Sequence, residues 1–117
     1  MRIMHPIIQD NYQSDLERRY AARLNIRLAA DEIVAWSYEL IRINIGTRTA
    51  KSGKKSAIYY TPDFFITFKT HFEFHETKGF WRVADKVRFR AAAAKLPHMR
   101  FCSVMENGKN NYQIEEI

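Results

Sequence analysis

Residues 57–79 read AIYYTPDFFITFKTHFEFHETKG, and their pattern decides the fold. Ala57 to Lys69 is rich in Tyr, Phe, Ile and Thr, which suit a pleated, half-buried strand. His71 to Lys78 is a second such run, and Gly79 ends it. A short turn near Lys69–Thr70 joins the two, so they are expected to pair as a hairpin. Pro62 cannot donate to a ladder, which puts its part of the strand at an edge, a bulge or an entry point. Side chains alternate along a strand with period two. Glu76 and Lys78 therefore share a face with Phe72 and Phe74, and Thr77 points away. That face starts in the core and ends in two charges, which needs a reason. Pairing also brings Asp63 close to Glu76, so two carboxylates and an amine converge.

The neighbouring segments complete a domain around this hairpin. Upstream, Leu16, Tyr20, Leu24 and Leu28 recur at helical spacing. Ser14 and Glu17 form an S-x-x-E capping box at the helix start, and the helix is expected to run to about Ala30. A strand follows from about Ile33, with Val34, Trp36, Tyr38 and Leu40 alternating. The apolar phase then shifts to Ile41, Ile43 and Ile45, which predicts a bulge or bend near Glu39–Ile41. Gly46 to Ser56 is polar and reads as a mobile hairpin loop holding Arg48, Lys51, Lys54 and Lys55. Downstream, a second helix is expected from Val83 or Ala84 to Leu96, ahead of Pro97. Met99 to Met105 reads as a strand, Asn107-Gly108 as a turn and Tyr112 to Glu115 as a short last strand. The order α-β-β-β-α-β-β predicts an α/β (α+β) protein, a mixed sheet with helices on its faces.

Composition narrows the classes. The 117 residues fit a single domain spanning 1–117, and 46% hydrophobic residues with four Gly and three Pro exclude a disordered or collagen-like chain. Nineteen Lys and Arg against thirteen Asp and Glu give +6, which favours a polyanionic partner. The single cysteine, Cys102, excludes an internal disulfide framework and fits a reducing compartment. No stretch approaches the roughly 18 apolar residues of a membrane span. The apolar part of Met1–Gln9 is too short for a signal peptide and is interrupted by His5 and Pro6. A cytoplasmic location, with no membrane partner, is the expectation.

The converging charges match a hard-cation site. Mg²⁺ takes oxygen ligands and keeps several waters, so one or two carboxylates suffice. Phosphodiester cleavage needs a nucleophilic water, charge neutralisation and help for the leaving oxygen, all of which metal ions provide. A neighbouring lysine can orient or help deprotonate that water.

Pro62-Asp63 and Glu76-Thr77-Lys78, in this order on adjacent strands, resemble the signature of the PD-(D/E)XK nucleases. An E-x-K triplet alone says little in a chain with eight Glu and eight Lys; the preceding Pro-Asp adds the specificity. Tyr60-Thr61-Pro62-Asp63-Phe64 and Lys78-Gly79-Phe80-Trp81-Arg82 are similar to small phage-encoded endonucleases and to the nuclease domain of a transposition endonuclease. The resemblance covers roughly residues 14 to 105, judged by element lengths. It implies a restriction-endonuclease-like αβββαβ core and Mg²⁺-dependent DNA cleavage, with Mn²⁺ able to substitute. Asp63 and Glu76 would bind metal, with the Thr77 carbonyl as a backbone ligand. Lys78 would serve the attacking water, and Glu17 a second metal, directly or through water. The products would be 5′-phosphate and 3′-hydroxyl ends. With no recognisable base-reading module, the chain fits recognition by shape and backbone, which favours branched DNA such as Holliday junctions. Cutting two strands implies a C2 homodimer. A transposase-associated or restriction-like endonuclease, a nickase, and a catalytically silent nucleic-acid-binding module are the alternatives.

Plainer readings stand beside these. Asp63 after Pro62 suits a turn. Glu76 and Lys78 suit the polar face of an amphipathic strand. Glu17 is already explained as a capping residue, and Glu39 is its rival as the additional acid. His71 and His75 lie roughly 13 Å apart along a strand, too far to share one zinc ion. His75 reads as a solvated surface histidine, with a phosphate contact next to the active site as the alternative. Phe80 and Trp81 read as packing at a strand–helix corner rather than as a base-stacking platform, and Cys102 as a small buried residue. Arg48, Lys51, Lys54 and Lys55, with Arg82, Lys86, Arg88 and Arg90, read as solvated charge alone and as phosphate contacts beside a metal-binding cleft.

Overall fold

A computed structural model describes residues 11–117; the reading of residues 1–9 falls outside them. The first helix, α1 (Asp15–Ala29), starts where the capping box puts it: Ser14 Oγ accepts from the Glu17 amide at 3.1 Å. Its stripe buries Tyr20, Ala21, Leu24 and Leu28. Seven strands follow in chain order, β1 (Ala35–Tyr38), β2 (Ile43–Thr49), β3 (Lys55–Tyr60), β4 (Phe64–Thr67) and β5 (Phe72–Thr77), then α2 (Val83–Lys95), β6 (Arg100–Glu106) and β7 (Tyr112–Glu116).

Five strands form a mixed sheet in the order β1-β4-β5-β6-β7. The predicted hairpin is present, with Phe64 opposite His75 and Thr67 opposite Phe72. Only β5 and β6 run parallel, and α2 makes the crossover that parallel neighbours require. Together these elements make an α+β domain. Two apolar layers sandwich the sheet. Against α1 lie Ile33, Trp36, Phe64, Ile66 and Val104; against α2, which contributes Phe89 and Ala92, lie Ile43, Phe74 and Phe101. Alternation along β5 is thus used on both faces: Phe74 packs in the α2 layer, while His75 meets Tyr20 of α1.

The two long strands expected before β5 are each split. The phase shift at Glu39–Ile41 is a strand end, not a bulge. Glu39 adopts the left-handed conformation (φ 48°), β1 stays in the main sheet, and β2 leaves it. Pro62 marks the matching break between β3 and β4. β2 and β3 pair as a separate two-stranded ribbon, with an irregularity between Asn44 and Gly46. The polar segment 46–56 is therefore largely strand, with Arg48 opposite Ser56, and only the tip near Gly53 is a turn. Most side chains of its outer half are exposed, so no apolar alternation marks it in the sequence. The ribbon's base packs on α2 through Ile43, Ile45 and Tyr60. Phe72 is 45% exposed and stacks on Phe65, so the core of its face begins at Phe74. No described helix is long and apolar enough to cross a membrane.

Candidate active site

The two strand breaks and the end of β5 meet at one place. Asp63 sits in the break before β4, and its amide donates to Glu76 Oε1 at 2.9 Å. Its Oδ2 accepts from the Thr77 amide and from Thr77 Oγ1, both at 2.9 Å. Thr77 was expected to point away from the acids. Its side chain instead reaches Asp63, because Asp63 lies beyond the regular end of the ladder and bends its carboxylate across the strand end. The Glu39 amide donates to the Asp63 carbonyl at 2.8 Å, which pins the two breaks together. That bond fixes the left-handed turn at Glu39, a conformation costing a non-glycine residue on the order of 1 kcal/mol.

The consequence is a cluster of acids. One carboxylate oxygen from each of Glu17, Glu39 and Asp63 lies within 4.8 Å of the other two. Glu17 is a buried member of α1, fixed by a hydrogen bond from the Tyr38 hydroxyl and another from Ser14 Oγ. Glu17 is thus a capping-position residue and also faces the cluster, and Glu39 joins it rather than replacing it. Glu76 is buried and adjoins Asp63, whose amide it accepts from. Lys78 Nζ stands 3.9 Å from Glu76 Oε2 and 4.0 Å from Asp85 Oδ1. Its amide donates to the Val104 carbonyl, carrying the parallel pairing one residue past β5.

Crowding sets the electrostatics. Burial, then the nearby Glu76 carboxylate, pushes the Asp63 carboxyl up to about 7, against the hydrogen bonds from Thr77. Burial also raises Glu76, although Asp63 N–H and Lys78 oppose it. Glu17 rises through burial, with the Asp63 and Glu39 charges adding to the effect against the bond from Tyr38. Burial, with Glu76 beside it, keeps the Tyr60 phenol protonated. A domain with a net charge of +6 thus concentrates acids that resist ionising together.

The predicted basic residues lie on two other elements, and none of them is a member of the acid cluster. Arg48, Lys51, Lys54 and Lys55 are exposed on the ribbon's outer half, and Arg82, Lys86, Arg88 and Arg90 are exposed along α2. Among the described residues none of these eight forms an ion pair.

His75 is not a solvated surface residue; it is 1% exposed. Its Nδ1 pairs with the Tyr20 hydroxyl at 2.7 Å and its Nε2 with Glu73 Oε1 at 2.8 Å. Glu73 also bonds His71 Nε2 through Oε2, and Cys102 Sγ lies 3.6 Å from Oε1. Burial alone would raise Glu73, but the bonds from His75 and His71 outweigh it and hold the carboxyl at about 2. Glu73, His75 and Cys102 bring donor atoms together, but these are engaged with one another in a hydrogen-bonded network. Sequence reasoning missed Glu73, although its position midway between His71 and His75 was a usable signal. Tyr38, Tyr60 and Asp85 were also missed as site neighbours. Trp81 packs on Phe89 with ring centroids 5.3 Å apart, as expected of a corner residue. Phe80 does not pack; it is 77% exposed.

Comparison with models of known families, with curated proteins and with solved structures gives no match. The functional reading therefore stands on this geometry and on the sequence motif.

Proposed function

We propose that this protein is a Mg²⁺-dependent DNA endonuclease of the PD-(D/E)XK type with a restriction-endonuclease-like core. The observation that carries the reading is the convergence of Glu17, Glu39 and Asp63 beside Glu76 and Lys78. Burial that raises the carboxyls of Glu17, Asp63 and Glu76 at one place is unfavourable for the ionised acids and is relieved by a bound cation. The donors are all carboxylate oxygens, which suits Mg²⁺ or Mn²⁺ and not a thiophilic ion. Asp63 and Glu76 would hold the metal, with Glu17 and Glu39 completing the acidic surface and the Thr77 carbonyl available as a backbone ligand. The bound ion supplies charge neutralisation and a more acidic water.

The protein's own groups do the rest. Lys78 places a positive charge at the edge of the acid cluster, where it can orient an attacking water and meet the phosphate. Glu76 and Asp85 hold its ammonium group from two sides. Thr77 fixes the Asp63 carboxylate through two bonds, so only part of that group is free for a ligand. The unpaired cations of α2 and the ribbon supply sequence-independent contacts to phosphates. With no base-reading element among the described residues, recognition by shape favours branched DNA, and a homodimer would offer two cutting sites.

Titration with Mn²⁺ tests the reading. The wild type should bind the ion and nick supercoiled or branched DNA, and Asp63→Ala should remove both properties. DNA binding without metal binding or nicking would make the chain a silent nucleic-acid-binding module. No interaction with either ion or DNA would remove the nuclease reading altogether.

A further inference from the structure

A groove of about 470 Å³ begins at Gly79, the residue that follows Lys78 in the chain, and runs between the start of α2 and strands β6 and β7. Its walls carry the rings of Phe80, Trp81 and Phe89 and the cations Lys86 and Arg90, with Glu115 on the β7 side. The rings differ in role. Phe89 is buried and Trp81 leans on it, whereas Phe80 projects with 77% of its surface exposed. An exposed phenylalanine on a strand–helix corner contributes nothing to the core. Lys86 and Arg90 are one helical turn apart, so they share a face of α2, and neither has a carboxylate partner among the described residues.

We infer that this groove takes one unpaired nucleotide of the DNA, with its base on Phe80 and its phosphate on Lys86 and Arg90. The inference rests on the nuclease reading and names the feature that the enzyme would select. A volume of about 470 Å³ lies within the range of small-ligand sites. A base inside a duplex offers only its edges, because its ring faces are stacked; an unpaired base offers a face to an aromatic ring. Rings beside unpaired cations are the combination that binds single-stranded nucleic acid. Because Gly79 follows Lys78 directly, the unpaired nucleotide would lie next to the phosphate that is cut. Branched and flapped DNA supply such nucleotides; continuous duplex does not.

The test compares kcat/KM on a flap or four-way junction with that on continuous duplex, in Mg²⁺, for wild type, Phe80→Ala and Phe80→Trp. The exposed side chain can be removed without disturbing the core, which circular dichroism checks. Phe80→Ala should lower the branched-to-duplex ratio about tenfold, and Phe80→Trp should keep it. In EDTA, a single-stranded oligonucleotide should quench Trp81 fluorescence, and Phe80→Ala should weaken that binding by a similar factor. Cleavage with an unchanged ratio in Phe80→Ala overturns the inference and leaves the nuclease reading standing. Quenching weakened by Phe80→Ala, with no cleavage of any DNA, supports the groove and overturns the nuclease reading. If Phe80→Ala changes only the oligomeric state, a second copy covers the groove and the inference is wrong.

Discussion

Replacing Asp63 with asparagine should stabilise the metal-free protein, mainly at neutral to alkaline pH. The carboxyl rises from 3.8 in the unfolded chain to about 7 in the fold. The sign follows from linkage: folding disfavours the ionised form, so the penalty is absent below pH 3.8, grows between the two values and is complete above pH 7. Three pKa units correspond to about 4 kcal/mol. Partial exposure of Asp63 and its coupling to Glu76 reduce this to about 2–4 kcal/mol. The amide oxygen of asparagine can still accept the two Thr77 bonds, so little else is lost. For a chain of 117 residues, about 0.25 kcal/mol/K of unfolding entropy turns this into a gain of about 8–16 °C. Thermal unfolding of wild type and Asp63→Asn in EDTA at pH 4 and pH 8 measures it. The gain should appear at pH 8, fall to about 1–2 °C at pH 4 and shrink when Mn²⁺ is added to both proteins. Equal or lower stability of the variant at pH 8 would refute the electrostatic account of the cluster.

Other expectations concern separate parts of the molecule. Lys78→Ala should abolish cleavage while leaving DNA binding largely intact, as gel-shift and nicking assays on one preparation would reveal; an equally active variant removes its role. Reversing Lys54 and Lys55 to glutamate should weaken DNA binding and flatten the slope of log K against log salt by about two, if each contacts one phosphate. An unchanged slope would make the ribbon tip a solvated surface. Glu73→Ala should cost about 1–3 kcal/mol in urea unfolding, because it leaves Nε2 of the buried His75 without its partner. A loss below about 0.5 kcal/mol would mean that the network holds nothing in place.

Local patterns carried most of the fold into the sequence. The capping box at Ser14 and the Leu16–Leu28 stripe announced α1, and Pro97 fixed the end of α2. Period-two alternation and the short turn at Lys69–Thr70 announced the hairpin that became β4 and β5. The breaks at Glu39 and Pro62 were visible as irregularities. That they divide the strands between two sheets was not, because the choice depends on how Ile43 and Tyr60 pack against Phe89. Within the site, Asp63, Glu76 and Lys78 could be placed by register alone. The entry of Glu39 depends on a left-handed backbone that a glutamate seldom adopts. His75 reads as a surface residue until Tyr20, far away in sequence, supplies a buried partner. Long-range partners of polar residues leave no periodic trace, and it was there that the sequence reading failed.

The most direct test of the account is a cleavage map. The protein is incubated with Mg²⁺ and end-labelled linear duplex, single-stranded, flap or four-way-junction DNA, beside EDTA and Asp63→Ala controls. The account predicts Mg²⁺-dependent cuts with 5′-phosphate ends, concentrated next to unpaired nucleotides and absent from both controls. Intact DNA in every lane with Mg²⁺ or Mn²⁺, or cuts that persist in Asp63→Ala, would contradict it.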